Sequence, residues 1–224
     1  MERAAVIFDL DGTLLDTLED LKIAANAVME ALGHPTHSLD AIRRFVGDGA
    51  RVLMDRALPE GHTQEEVEDA LARFKTYYNA HCREHTGPYP GIMEALRELK
   101  DAGIPMAVVS NKPDAAVQIL CRGYFGDLFP VTHGESAACP RKPAPDMVLE
   151  TAKALGRRPE QCIYVGDSDV DILTARNSGM VCLSVLWGFR SREFLVESGA
   201  KHFCEDPAEL PRRLRELEEQ FCGE

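Results

Sequence analysis

The chain has 224 residues, of which 45% are apolar and 28% are charged, proportions that are ordinary for a globular protein. Its 37 acidic and 25 basic residues give a net charge of −12, which opposes binding to nucleic acid or to an anionic membrane. No run of about eighteen apolar residues is present, and this excludes a membrane-spanning helix.

The N-terminus and the cysteines predict a cytoplasmic location. Only the apolar run of residues 4–8 precedes Asp9, which is too short for the apolar segment of a signal peptide. The seven cysteines are scattered and never spaced C-x-x-C, a pattern that fits a reducing compartment and argues against a zinc site.

Short apolar runs alternate with helical patterns along most of the chain. The runs are residues 4–8, 105–109, 162–165 and 181–185, and the helical patterns are residues 92–99, 115–120, 147–155 and 172–177. This alternation predicts an α/β fold with a Rossmann-like, largely parallel sheet between two layers of helices. Because ligands bind beyond the carboxyl ends of such strands, the residues after each run are the first site candidates. The charged, amphipathic tail at 209–219 predicts a solvated surface helix.

One region breaks the alternation, because residues 17–85 carry helical spacing and no strand signal. Two apolar stripes run through it: Leu18, Leu21, Ala25, Val28 and Leu32, then Val67, Leu71, Phe74, Tyr78 and Cys82. We expect a small helical domain at 17–85, inserted into an α/β core made of residues 1–16 and 86–224. The Pro- and Gly-rich segment 86–91 is a plausible hinge between them.

Two carboxylates follow the first predicted strand in the motif Asp9-Leu10-Asp11-Gly12-Thr13. Residues two apart on an extended segment point to the same side, so Asp9 and Asp11 are expected to share one small site. Like charges this close raise each other's pKa unless a cation is present, which indicates a divalent metal or a shared proton. An ordinary Asp-Gly turn with a helix-capping Asp9 is the alternative.

Polar groups also follow two later segments. Ser110 and Asn111 end the second strand and could hold phosphate oxygens, although Ser110 could equally cap a helix. Lys142 lies between Arg141 and two prolines and could neutralise a phosphoryl group, although a single lysine is more often simply solvated.

A third strand ends in Gly166-Asp167-Ser168-Asp169-Val170-Asp171. Three acidic residues at one strand end place more negative charge there than a turn tolerates without a counter-ion, and a magnesium site explains it. One of the three is expected to cap the following helix instead, and Asp169 is the best candidate.

The ordered set D-x-D-G-T, S-N, K-P and G-D-x-x-x-D resembles the four motifs of the haloacid dehalogenase superfamily, and the resemblance covers nearly the whole chain. It implies that Asp9 is the nucleophile and Asp11 the general acid/base, an acid that the dehalogenases lack. It also implies that Ser110 and Lys142 bind the phosphoryl group, with Thr13 holding the phosphate and the turn. The helices inserted after the first motif resemble the superfamily's first type of cap.

The same resemblance implies a Mg²⁺ cofactor. Asp9, the backbone carbonyl of Asp11, and Asp167 would coordinate it, with Asp171 supporting the site directly or through water. The expected activity is hydrolysis of a small phosphate monoester through an aspartyl-phosphate on Asp9.

The cap segment 45–53 is similar to that of the phosphoglycolate phosphatases within the superfamily, which makes 2-phosphoglycolate the leading substrate. Arg51 in this segment could grip a substrate carboxylate with two hydrogen bonds, or could be an exposed arginine on a helix. The alternatives are a β-phosphoglucomutase-like mutase, a pyrophosphatase, a sugar-phosphate or nucleotide phosphatase, a phosphonatase, and a phospho-aspartate receiver switch. The expected partner is a small phosphorylated metabolite, and the expected state is a monomer or a homodimer.

Overall fold

The computed structural model describes residues 3–137 and 139–221. Its centre is a six-stranded parallel sheet in the order β5-β4-β1-β6-β7-β8. The strands are β1 (Ala5–Phe8), β4 (Met106–Pro113), β5 (Val131–Glu135), β6 (Cys162–Gly166), β7 (Val181–Val185) and β8 (His202–Cys204). The α/β prediction is confirmed, and β1 lies between β4 and β6.

Helices surround this sheet. Those of the core are α5 (Ile92–Asp101), α6 (Asp114–Phe125), α7 (Asp146–Ala154), α8 (Asp169–Ser178), α9 (Arg192–Glu197) and α10 (Leu210–Phe221). The surface helix predicted at 209–219 corresponds to α10, which is amphipathic: it buries Leu210, Leu214 and Leu217 in the hydrophobic core and exposes charged side chains on its other face. No helix in the described ranges is both long and apolar enough to cross a membrane.

Two strands at the sheet's edges have no counterpart in the predicted apolar runs. In β5 only Gly134 is buried, and β8 has three residues of which only Cys204 is buried. Edge strands have one side open to solvent, so they lack the continuous apolar run that marks a central strand of a parallel sheet.

Between β1 and α5 the chain forms four helices: α1 (Leu18–Ala31), α2 (Leu39–Phe45), α3 (Ala50–Ala57) and α4 (Gln64–His81). They pack against one another, and α3 also contacts β4. The chain leaves the core through β2 (Leu15–Asp16) and returns through β3 (Gly87–Pro88), and these two strands pair as a short antiparallel ribbon. We propose that residues 17–85 are the cap and that residues 1–16 and 86–224 are the core.

Asp20 of α1 fastens the returning chain to the cap. Its buried carboxylate accepts hydrogen bonds from the backbone N–H of His85 at 2.9 Å, the N–H of Thr86 at 2.9 Å and the Thr86 hydroxyl at 2.7 Å. We expect Asp20→Ala to lower the free energy of unfolding by about 2–4 kcal/mol, because these buried donors lose a charged acceptor.

Denaturant unfolding measures this loss. Asp69→Ala is the matched control, since Asp69 pairs with Arg73 on the exposed face of α4 and its removal should change the unfolding free energy by less than about 0.5 kcal/mol. Equal effects of the two substitutions would show that Asp20 does not fasten the cap.

Candidate active site

Three neighbouring strands bring the predicted site together at one edge of the sheet. Asp9 directly follows β1, and its backbone N–H donates to Val165 of β6 at 2.8 Å. Asp167 directly follows β6, and Ser110 lies within β4 on the other side of β1. The chain winds outward from β1 to β5 and then returns to the opposite side of β1 at β6, so the site lies at a topological switch point.

Lys142 links the carboxylates of Asp9 and Asp171. Its buried Nζ lies 3.0 Å from Asp9 Oδ1 and 2.8 Å from Asp171 Oδ1, and it donates to Tyr164 Oη at 2.9 Å. Although burial alone would lower the pKa of Lys142, the carboxylates of Asp171 and Asp9 raise it well above its usual value. The two carboxylates thus favour the cationic form of Lys142 beside Asp9.

Asn111 holds Lys142 in place. The Asn111 amide accepts from the backbone N–H of Lys142 at 2.8 Å and donates to its carbonyl at 3.0 Å, and a longer contact of 3.4 Å reaches the carbonyl of Gly47 in the cap. This geometry does not support the prediction that Asn111 binds phosphate oxygens, because its amide is occupied by the backbone of the lysine. We propose a positioning role instead.

Both carboxylate oxygens of Asp171 accept hydrogen bonds. Oδ2 accepts from the N–H groups of Asp167 and Ser168 and from the Ser168 hydroxyl, at 2.6–3.1 Å, while Oδ1 faces Lys142. Ser168 and Asp171 thus cap α8 reciprocally. The expectation that Asp169 is the cap is wrong, since Asp169 is the first residue inside that helix. We infer that Asp171 supports the site rather than coordinating a metal directly.

Carboxylate oxygens of Asp9, Asp167 and Asp171 lie within 4.8 Å of one another, and all three residues are buried. Burial raises the pKa of Asp9 well above its usual range; Lys142 opposes this shift, and Asp171 and Asp167 add to it. Burial and Asp171 raise the pKa of Asp167 to about 7. A single lysine leaves this cluster with excess negative charge, which a hard divalent cation with oxygen ligands would offset.

The backbone around Asp167 is shaped to hold it closely. Gly12 has φ +79°, and a Cβ at either Gly12 or Gly188 would collide with the Asp167 side chain. Asp167 Oδ2 accepts from the N–H of Phe189 at 2.7 Å, and Oδ1 accepts from the Thr13 hydroxyl at 3.2 Å. The residues present therefore fit a Mg²⁺ site. Thr13 is buried and donates to Asp167, so the structure supports its holding the turn and not its contacting phosphate.

Lys112 was not assigned a role from the sequence. It is buried in β4, its Nζ lies 2.7 Å from Asp11 Oδ1, and it lies 4.5 Å from the ring centre of Tyr78 on α4. Asp11 and Tyr78 raise the pKa of Lys112 against the opposing effect of burial. The sequence pattern could have indicated that Lys112 belongs to the site. Lys112 is two residues after Ser110, and residues two apart on a regular strand share a side.

A cleft lies between the core and the cap. Its empty volume, open solvent included, is about 640 Å³. The core lines it with Asp9, Asp11, Ser110, Lys112 and Asp167 among others, and the cap lines it with apolar side chains that include Leu21, Val46, Leu53 and Phe74. Ligand pockets in proteins commonly have this mixture of apolar walls with a few polar groups.

Arg51 does not belong to this cleft. Its guanidinium donates to Glu68 at 2.9 Å and to Gln64, on the exposed side of the cap. The structure therefore gives no support to Arg51 as a carboxylate ligand. Arg190 of the core does line the cleft, and it donates to the carbonyls of Arg43 and Val46 in the cap, each at 2.7 Å.

The sequence profile of the family described as "Haloacid dehalogenase-like hydrolase" matches residues 6–185, and the chain belongs to this family. It is a phosphoric monoester hydrolase, as the phosphoglycolate phosphatases that it is similar to are named. The phosphoglycolate phosphatase of Pseudomonas putida is 36% identical over 189 residues, which cover 82% of this chain and 70% of that protein. The phosphoglycolate phosphatase of Aquifex aeolicus is 34% identical, with 82% and 85% covered.

Among solved structures, the chain is similar to one from Lactobacillus delbrueckii subsp. bulgaricus, whose assignment as a phosphoglycolate phosphatase is itself a prediction. The two are 40% identical with a TM-score of 0.91, covering 96% of this chain and 99% of the other. Predicted membership of the superfamily is thereby confirmed.

Proposed function

We propose that the chain is a Mg²⁺-dependent phosphatase that hydrolyses 2-phosphoglycolate through an aspartyl-phosphate on Asp9. The observation that carries this proposal is the position of Asp9. It lies at the floor of the cleft beside the buried Nζ of Lys142, and oxygens of Asp167 and Asp171 are within 4.8 Å. One oxygen of Asp9, Oδ1, faces Lys142 and the N–H of Leu10, which leaves Oδ2 to attack phosphorus.

In the first step a bond forms between Asp9 Oδ2 and phosphorus as the bond from phosphorus to the ester oxygen breaks. Asp11, two residues on and facing the same cleft, delivers a proton to the departing oxygen. In the second step Asp11 takes a proton from water, which attacks phosphorus and restores the Asp9 carboxylate. The Ser110 hydroxyl, buried at the cleft wall, is placed to donate to a phosphoryl oxygen.

Asp9, the backbone carbonyl of Asp11, and Asp167 are the residues that would hold Mg²⁺, with Asp171 supporting them. When bound, the ion supplies positive charge that offsets the clustered carboxylates and the phosphoryl oxygens. Lys142 adds a cation that lies 3.0 Å from Asp9 Oδ1.

The substrate assignment draws on two facts. Relatives that are identical to this chain at a third or more of the aligned residues are named phosphoglycolate phosphatases. The cleft that holds Asp9 is bounded by the cap and carries a second buried cation, Lys112, which suits a small ester with two anionic groups. The predicted cytoplasmic location and the monomeric or dimeric state remain predictions.

Phosphate release from a panel of esters tests the proposal. The panel contains 2-phosphoglycolate, sugar phosphates, nucleotides and pyrophosphate, each assayed with Mg²⁺ and after removal of metal by EDTA. We expect the highest kcat/KM with 2-phosphoglycolate, a fall to background after EDTA, and recovery when Mg²⁺ is restored.

Each other result has a defined meaning. Preference for another ester would keep the mechanism and change the substrate. Conversion of a hexose 1-phosphate without phosphate release would indicate the mutase. A phosphorylated Asp9 that persists for minutes without turnover would indicate a receiver switch.

A further inference from the structure

We propose that Lys112 is the specificity-determining residue of this site and that it binds a carboxylate on the leaving group of the ester. This inference rests on the proposed function and adds the group that selects the substrate. Lys112 meets the groups that act at phosphorus only through its hydrogen bond to Asp11.

The ammonium of Lys112 is buried, yet it faces the cleft. The residue is 4% exposed and lines the cleft together with Asp9 and Asp11. An ammonium has three N–H donors; this one donates to Asp11 Oδ1 at 2.7 Å and also interacts with the Tyr78 hydroxyl, which leaves a donor for a ligand. Lys112 can therefore keep Asp11 and still donate to a bound anion.

Tyr78 lies beside the Lys112 ammonium in the same cleft. It is 2% exposed, lines the cleft from α4, and its hydroxyl has no hydrogen bond of normal length among residues 3–137 and 139–221, although it interacts with Lys112. A buried hydroxyl without a normal hydrogen bond is costly, and a carboxylate bound at Lys112 would offer it an acceptor. The ring centre of Tyr78 is 4.5 Å from Lys112 Nζ.

Two other cations near the site, Lys142 and Arg190, already have partners within the protein. Lys142 is paired with Asp9 and Asp171, and Arg190 donates to two carbonyls of the cap. Apolar side chains such as Leu53 and Phe74 wall the cleft, and in such surroundings a charge-assisted hydrogen bond is strong.

The position of Lys112 also limits the length of the substrate. Asp11 must contact the ester oxygen to protonate it, and Lys112 contacts Asp11 directly. A carboxylate on the carbon next to the ester oxygen would meet Lys112. In 2-phosphoglycolate the carboxylate is attached to that carbon. Esters whose leaving group is neutral would leave a Lys112 donor and the Tyr78 hydroxyl without this acceptor.

The test compares 2-phosphoglycolate with ethyl phosphate, which has the same two carbons and no carboxylate. We expect the wild type to prefer 2-phosphoglycolate in kcat/KM, and Lys112→Met to reduce that preference by about ten- to hundredfold, mainly through KM. Lys112→Arg retains a cation and should keep more of the preference than Lys112→Met. Arg73→Gln, which removes one positive charge from the exposed face of α4, should leave the ratio unchanged.

If Lys112→Met loses all turnover, ligand binding still tests the inference. The Kd values of both esters can then be compared in Asp9→Asn and in Asp9→Asn/Lys112→Met, after circular dichroism has shown that both variants are folded. The same loss of preference is expected in these Kd values.

Several outcomes would overturn the inference. An unchanged ratio in Lys112→Met would do so, as would a larger loss of preference in Arg51→Gln. A wild type that hydrolyses both esters equally would refute Lys112 as the selector and leave the phosphatase proposal standing. Release of phosphate from neither ester would refute the proposed function itself.

Discussion

Asp9→Asn should release no phosphate above background, a loss of about 10⁴-fold or more in kcat. The amide that replaces the carboxylate is neutral and has no anionic oxygen to form the bond to phosphorus. The substitution preserves shape, and Lys142 keeps its ion pair with Asp171, so we expect the variant to fold. Steady-state phosphate release measures the effect, and thermal unfolding checks the fold.

Asp127→Asn is the matched control, since it makes the same change at an exposed position remote from the cleft and should leave kcat unchanged. Mass spectrometry of wild-type enzyme quenched in acid during turnover should show one added phosphoryl group on the peptide that contains Asp9. If Asp9→Asn kept kcat within tenfold of the wild type, Asp9 would not be the nucleophile.

Lys142→Met should damage both activity and stability. We expect kcat to fall by about 10³-fold, because a preorganised cation beside the transferring group is lost. We also expect the free energy of unfolding to fall by about 3 kcal/mol, since two buried carboxylates lose their shared partner. Phosphate release and denaturant unfolding measure the two effects, and Lys153→Met, at an exposed position of α7, is the control.

A second substitution separates the two roles of Lys142. In Lys142→Met/Asp171→Asn the buried charge of Asp171 is removed together with the lysine, so part of the lost stability should return while activity stays low. Recovery of activity in the double variant would mean that Lys142 acts only by neutralising Asp171. A single variant as stable as the wild type would refute the proposed electrostatic role in folding.

The sequence predicted the central strands and their carboxyl ends because buried parallel strands leave a continuous apolar run followed by a polar residue. The runs at 162–165 and 181–185 correspond to β6 and β7, and the residues after the runs near Phe8 and Val165 include Asp9 and Asp167. The edge strands β5 and β8 could not be recognised in this way, since most of their residues are only partly buried.

The sequence could not predict roles that depend on tertiary contacts between particular side-chain atoms. Asn111 and Thr13 have the chemistry to bind phosphate, but tertiary contacts commit them to Lys142 and Asp167. Arg51 could point either way from α3, and the nearby carboxylate of Glu68 holds it outside. Lys112 shares a strand side with Ser110, but its meaning depends on Asp11 and Tyr78, which are distant in sequence.

Because of the β2–β3 ribbon, the cap can be replaced during evolution independently of the core. Because Leu15 pairs with Pro88 and Asp16 with Gly87, the chain leaves the core and returns to it at one point. A helical segment of different length or sequence can be exchanged above this ribbon without altering the order or register of the six-stranded sheet. Asp9, Asp167 and Lys112 belong to the core and Tyr78 to the cap, so a different cap would change the space around the leaving group while the phosphoryl chemistry is kept.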